Sequence, residues 1–156
     1  MIKKKATLQT LQIIYEVIRN QLESQLQLVD SLDNKGGIII GFNAIIITLA
    51  FSIYSSASSW LFVLGLLYLL ISIYYSFLAY KAEKFRRDPE PRKLREKYSL
   101  TQFDQVLQKI IDNSIGAYEE NRNKLKEKSQ YINRSLIITF IGIILLTLSL
   151  LLGKRG

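Results

Sequence analysis

The chain reads as an all-α membrane protein with three transmembrane helices, and three observations point there. Forty-five consecutive residues, Gly36 to Tyr80, contain no Asp, Glu, Lys or Arg. A second uncharged run covers Ser135 to Gly153. Both runs are continuous in apolar residues rather than alternating, which selects helices over a barrel. A hydrocarbon core of about 30 Å takes about 20 helical residues. The first run is therefore two crossings, divided at Ser55-Ser56-Ala57-Ser58-Ser59. The expected spans are 36–54, 60–80 and 136–152, within one membrane domain covering 1–156.

The N-terminal segment is not expected to be a cleaved signal. Met1-Ile-Lys-Lys-Lys is basic, but Gln9, Gln12, Glu16 and Arg19 break up the next fifteen or so residues before an apolar core develops. Residues 1–35 predict an amphipathic helix instead. Leu8, Leu11, Tyr15, Ile18, Leu22, Leu26, Val29 and Leu32 recur in steps of three and four, a continuous apolar seam. Ile13, Ile14, Val17 and Leu28 widen it. Such a face packs on another helix of the same chain or on a second copy.

The first span carries Gly37, Gly41, Ala44, Thr48 and Ser52 on one stripe. The second has Gly65, Ser72, Ser76 and Ala79, and the third Ser135, Thr139, Gly142, Ser149 and Gly153. In lipid, helices associate through small residues that allow close approach, so the stripes predict a packed bundle. Asn43 is the most polar group within the spans and lies about 120° around the helix from the glycine stripe. It predicts either an amide contact between subunits or a ring of amides along a narrow aqueous path.

After the second span, Pro89 and Pro91 predict a turn over about 86–99, with a short helix at Leu94 to Tyr98. A long helix then starts near Thr101, with Asp104 at capping-box distance. Its apolar face is Phe103, Val106, Leu107, Ile110, Ile111, Ile115 and Tyr118. Without an intervening proline it continues into the third span. This helix and the N-terminal helix are expected to form a cytoplasmic bundle.

Orientation follows from Lys and Arg. Five lie in 1–35, none in the serine loop, fourteen in 81–134 and two in the tail, which accounts for all 21. The N-terminus and 81–134 are expected in the cytoplasm, the serine turn and C-terminus outside. Tyr54, Trp60 and Phe62 would form an outer aromatic belt, and Tyr74, Tyr75, Phe77 and Tyr80 an inner one. The net charge of +8 is then a topology signal and an attraction to anionic lipid, with no nucleic-acid partner implied.

With no Cys and no His, thiolate catalysis, disulfides and the usual zinc sites are excluded, and serine nucleophiles lack their usual base. Gly36-Gly37 is not followed by a phosphate-binding Lys-Ser/Thr pattern. No carboxylate, arginine series or histidine lies within the spans, so an ion-coupled transporter or voltage sensor is not supported. The chain is expected not to be an enzyme and to need no cofactor.

The junction into the first span, Leu26-Gln-Leu-Val-Asp-Ser-Leu-Asp-Asn-Lys-Gly-Gly-Ile-Ile-Ile-Gly-Phe-Asn, resembles that of the Pycsar transmembrane effectors and the related SLATT-type membrane domains. There an Asp-x-Lys-small element stands at the cytoplasmic edge, with an Asn or Gly in the following span. The matching positions are Asp33, Lys35, Gly36 and Asn43, with Gly36 where Ala is commoner. Glu120, Asn121 and Lys128, in the stretch from Tyr118 to Lys128, extend the likeness. It implies a homo-oligomeric effector of the bacterial inner membrane that impairs membrane integrity on a nucleotide second-messenger signal. Asp33 or Lys35 would either pair with Glu120 or Lys128 and set the bundle's register, or stand apart, with Lys35 reaching the headgroups and Asp33 a helix-edge residue. With no β-roll pocket evident, a partner protein or a subunit-interface site would sense the messenger. The competing readings are a membrane anchor that recruits a soluble partner and a small channel subunit.

Overall fold

The structure, a computed structural model, describes residues 2–53, 59–81, 85–86 and 102–153; the side chains of 2–7 and Ser59 fall outside the description. It holds three helices, α1 Ile2–Ser52, α2 Ser59–Tyr80 and α3 Phe103–Gly153, and no strand among the described residues. The turn at 55–58, Thr101 of the capping box, the short helix at 94–98 and the two tail cations lie outside it. Each helix is long and apolar enough to cross a membrane. The protein is a multi-pass all-α membrane protein.

Contacts divide the chain into two compact units, Met1–Val29 with Glu83–Leu125, and Asp30–Ala82 with Lys126–Gly156. In the first, the seam expected in 1–35 turns inward. Leu22 is buried, and Leu8, Leu11, Tyr15, Ile18, Leu26 and Val29 are half-buried. On α3 the inward positions are Leu107, Ile111, Ser114, Ala117 and Asn121, again spaced three and four apart. The residues that widen the α1 face stay outside: Ile13, Val17 and Leu28 are 61%, 50% and 56% exposed. Phe103 and Ile115, expected on the packed face of α3, are also exposed.

The N-terminal amphipathic helix and the first span form one element. α1 runs unbroken through Gly36-Gly37. A helical glycine costs about 1 kcal/mol relative to alanine, and at Gly36 tertiary packing offsets that cost. A Cβ there would come within 3.3 Å of Ile132 Cδ1.

The second unit is apolar outside and partly polar inside, the reverse of a water-soluble bundle. Ile38, Phe42, Ile45, Val63, Leu70, Phe140 and Ile144 point outward, while Asn43, Ser72, Ser76, Ser135 and Thr139 are buried. This arrangement fits a lipid surround. Thr48 and Thr147, which face outward, bond the carbonyls of Ala44 and Ile143 on their own helices at 2.9 Å.

Two of the three small-residue stripes pack as expected, those of α2 and α3. The α1 stripe does not: Gly37, Gly41, Ala44, Thr48 and Ser52 are all exposed. Gly36, Ile39, Asn43 and Ala50 turn inward instead. The cause is the polarity of Asn43, because an amide facing lipid would be unsatisfied. Phe62 leaves the expected belt as well. It is 2% exposed, and its ring meets Phe51 edge-on at 6.2 Å. Trp60, Tyr74, Phe77 and Tyr80 remain on the surface.

α2 and α3 approach closely at Gly65 and Gly142. A Cβ on Gly65 would lie 2.8 Å from Leu146 Cγ, and one on Gly142 2.9 Å from Leu69 Cδ2 and 3.2 Å from the Gly65 carbonyl oxygen. Gly142→Ala should therefore destabilise the bundle by about 1–3 kcal/mol through overpacking. Gly41→Ala, which meets nothing within 4 Å, should leave it unchanged or slightly firmer. Thermal unfolding in detergent, followed by helical signal, measures the difference.

Candidate functional site

Three polar constellations stand out, two in the second unit and one in the first. The first is a layer shared by all three helices. Asn43 Nδ2 donates to Ser72 Oγ at 2.9 Å and to Thr139 Oγ1 at 3.1 Å, and the Thr139 hydroxyl lies 3.2 Å from Asn43 Oδ1. Ser72 Oγ is 2.7 Å from Thr139 Oγ1 and 2.8 Å from Ser135 Oγ, which is 2.7 Å from Ser76 Oγ. The backbone takes part as well. The Ser72 hydroxyl reaches the Ser135 carbonyl, and the Ser135 hydroxyl the Ser72 carbonyl, both at 2.9 Å. Each of these five side chains is at most 4% exposed.

Asn43 thus finds its partners within its own chain, on α2 and α3. Where an amide contact between subunits or a ring of amides was expected, the amide joins a network within the chain. In the sequence the four hydroxyl residues stand out only as small packing groups. Their spacing of four on each helix, 72 and 76, 135 and 139, together with an asparagine on a third span, is the signal that points to the network.

Asp33 and Lys128 form the second constellation. Lys128 Nζ lies 2.6 Å from Asp33 Oδ1, with the lysine side chain 8% and the aspartate 31% exposed. That oxygen accepts no further hydrogen bond among the described residues. The same unit holds a cluster of Ile39, Ala79 and Ile132, with Leu32 and Tyr131 against it. The pair joins the Asp-x-Lys junction to α3, one of the pairings expected from the sequence. Lys35, its neighbour, is exposed and makes no ion pair among the described residues.

The third constellation lies in the first unit, where the chain after α2 meets α3. Asn121, fully buried, accepts from the Arg86 backbone N–H at 3.0 Å and donates Nδ2 to the Arg86 carbonyl at 2.9 Å. One amide thereby satisfies both backbone groups of a residue outside regular structure, as a neighbouring strand would. Glu120 beside it receives Lys124 Nζ at 2.8 Å and Arg86 Nη1 at 3.3 Å. The Lys124 ammonium is also 6.0 Å from the centroid of the Phe85 ring. Residue type gives no hint of the role of Arg86, because its backbone is recognised independently of its side chain. Gln25 of α1 is equally silent in the sequence. Its Nε2 donates to the Tyr118 carbonyl at 3.1 Å, while its buried Oε1 has no partner among the described residues.

The Lys124 hydrogen bond, seconded by Arg86, holds the Glu120 carboxyl below the ordinary carboxylate range despite partial desolvation, which acts the other way. A lowered acid contributes stability that is present above its unfolded pKa and lost as pH falls through the lower folded value. The Glu120 contacts should therefore persist through neutral and mildly acidic solution and open only as pH falls below the ordinary glutamate range. A carboxyl-carbon NMR titration in detergent reads this directly, with Glu120→Gln as the reference that lacks the transition.

Lys128→Ala leaves Asp33 partly buried without its cation and should cost about 1–3 kcal/mol, the range for losing a hydrogen bond to a charged group. The exposure of Asp33 keeps the loss below that of a fully buried pair. A double-mutant cycle with Asp33→Asn, read by thermal unfolding, should give a coupling energy well above zero.

Comparison with known proteins adds a family. The Pycsar effector protein domain, PycTM, matches residues 17–153, a segment that takes in all three constellations. No curated protein and no solved structure matches the chain.

Proposed function

Because the chain belongs to the Pycsar effector family, transmembrane effectors of cyclic-nucleotide-based anti-phage defence, we propose that it acts in the bacterial inner membrane, where it oligomerises and impairs membrane integrity on a nucleotide second-messenger signal. The observation that carries this reading is the extent of the family match. It covers both compact units, so it is more than a likeness between apolar spans.

Self-association is supported by surface that the fold leaves uncovered. Ile13, Val17 and Leu28 offer apolar contacts on α1 of the first unit. Gly37 and Gly41 offer a helix face with open space around it, of the kind that lets transmembrane helices approach closely. The Lys and Arg distribution favours the N-terminus and residues 81–134 in the cytoplasm and the C-terminus outside.

The protein acts without catalysis or a cofactor of its own. Its partners are lipid, further copies of itself and a nucleotide-signalling protein, with the messenger sensed by that protein or at a subunit interface. Nucleic acid is not a partner, because the basic residues flank the spans and are mixed with acids.

Expression together with a nucleotide cyclase of a cyclic-nucleotide defence system, followed with a potential-sensitive dye, tests the proposal. Potential should collapse and growth stop only when the cyclase is active. Unchanged potential and growth would overturn the reading, and recovery of one dominant soluble protein in crosslinked membranes would favour an anchor instead. A cytoplasmic reporter fused near residue 95 should be active.

A further inference from the structure

We propose that the hydroxyl and amide layer of the second unit is the closed section of a water path within a single chain, and that protons and small monovalent ions follow this path when the effector is active. The inference rests on the membrane-damaging reading above and names its route.

Hydrogen-bonded side chains run without a gap from Ser76 through Ser135, Ser72 and Thr139 to Asn43, with successive oxygens 2.7–2.8 Å apart until the amide. The layer is sealed on both sides. Toward the Asp33–Lys128 pair stand Ile39, Ala79 and Ile132. On the other side stand Ala50, Phe62, Leu69 and Leu146. Alongside this second seal lies an apolar groove of about 180 Å³ between α1 and α3. Ala50 and Leu146 belong to both the seal and the groove. Along the helices the order is therefore ion pair, apolar seal, polar layer and apolar seal, with the groove beside the last.

The hydrogen bonds of the layer hold the three helices in their closed arrangement. Close α2–α3 packing is already supplied at Gly65 and Gly142. Five buried polar side chains at one level do something that small residues do not. They make parting of the helices nearly neutral for that layer, because each hydroxyl exchanges a hydroxyl partner for water. Resistance to opening then resides in the two apolar seals. Narrow hydrophobic constrictions gate by excluding water, and a modest parting of the helices lets them wet. The polar lining is uncharged, so it selects by size and not by sign. A lumen bounded by three helices passes water and small ions and retains metabolites.

The test uses the full chain in cells and in proteoliposomes that report internal pH, potassium flux and retention of an entrapped fluorescent dye. Leu69→Ser polarises the seal at a fully buried position. It should raise the basal proton and potassium leak about tenfold, the effect of lowering the barrier by about 1.4 kcal/mol, with the dye retained. Ala50→Ser, a smaller change to the same seal, should act in the same direction if Leu69→Ser folds poorly. Ser76→Ala, which leaves both partners of Asn43 in place, should cut the activated leak severalfold while helical content and membrane level stay as in the unaltered protein. Leaks equal to the unaltered protein in all these variants, or release of the large dye, would place the route between copies and overturn the inference. Failure of the unaltered protein to depolarise activated cells would instead defeat the effector reading. In that case an unraised leak with Leu69→Ser and Ala50→Ser in liposomes would reject the water path independently.

Discussion

In a hydrocarbon surround, a side-chain polar group that does not find a protein partner finds none, and the arrangement of the second unit follows from that constraint. Asn43 brings an amide into the first span, and only α2 and α3 carry groups at its level that can satisfy it. Ser72 and Thr139 do so. Once Asn43 faces them, the rotation of α1 is set. Gly36, Ile39 and Ala50 turn inward with it, and the run of small residues from Gly37 to Ser52 turns out. The same constraint explains why Thr48 and Thr147, on the outer face, bond carbonyls of their own helices.

Charge is confined to the segments flanking the uncharged runs, and there it works locally. The Asp33–Lys128 pair ties the start of the first span to α3 with a largely buried ammonium, so it specifies one pairing of these helices among many sterically similar ones. In the first unit the device is different. Asn121 recognises backbone, and the surrounding Arg86, Glu120 and Lys124 are half-exposed ions whose individual contributions are small in water. The buried amide anchors that segment, and the ions set its electrostatic surroundings.

The helical seams of both amphipathic stretches were readable directly, because spacing by three and four carries through to burial. Leu22, Leu107 and Ile111 are buried where that periodicity puts them. The pairing of Asp33 with Lys128 was readable as one of several charge pairings at the membrane edge. The fate of the three small-residue stripes was not readable. A stripe on one helix is the same pattern whether it packs inside its own chain or faces outward, and only the partner helices decide. Phe62 illustrates the same limit. An aromatic residue near a span terminus suits the interface and the core equally, and packing with Ala50, Leu69 and Leu146 placed it in the core.

By itself the sequence determined the solvent. Uncharged runs of that length cannot be hydrated cheaply as helices in water, so three spans, their helical form and the placing of charge outside them follow from composition alone. Tertiary structure decided which way each helix turns. Four hydroxyl residues and one asparagine carry no directional preference until three helices bring them together at one level. Their hydrogen bonds then select a single rotation for each.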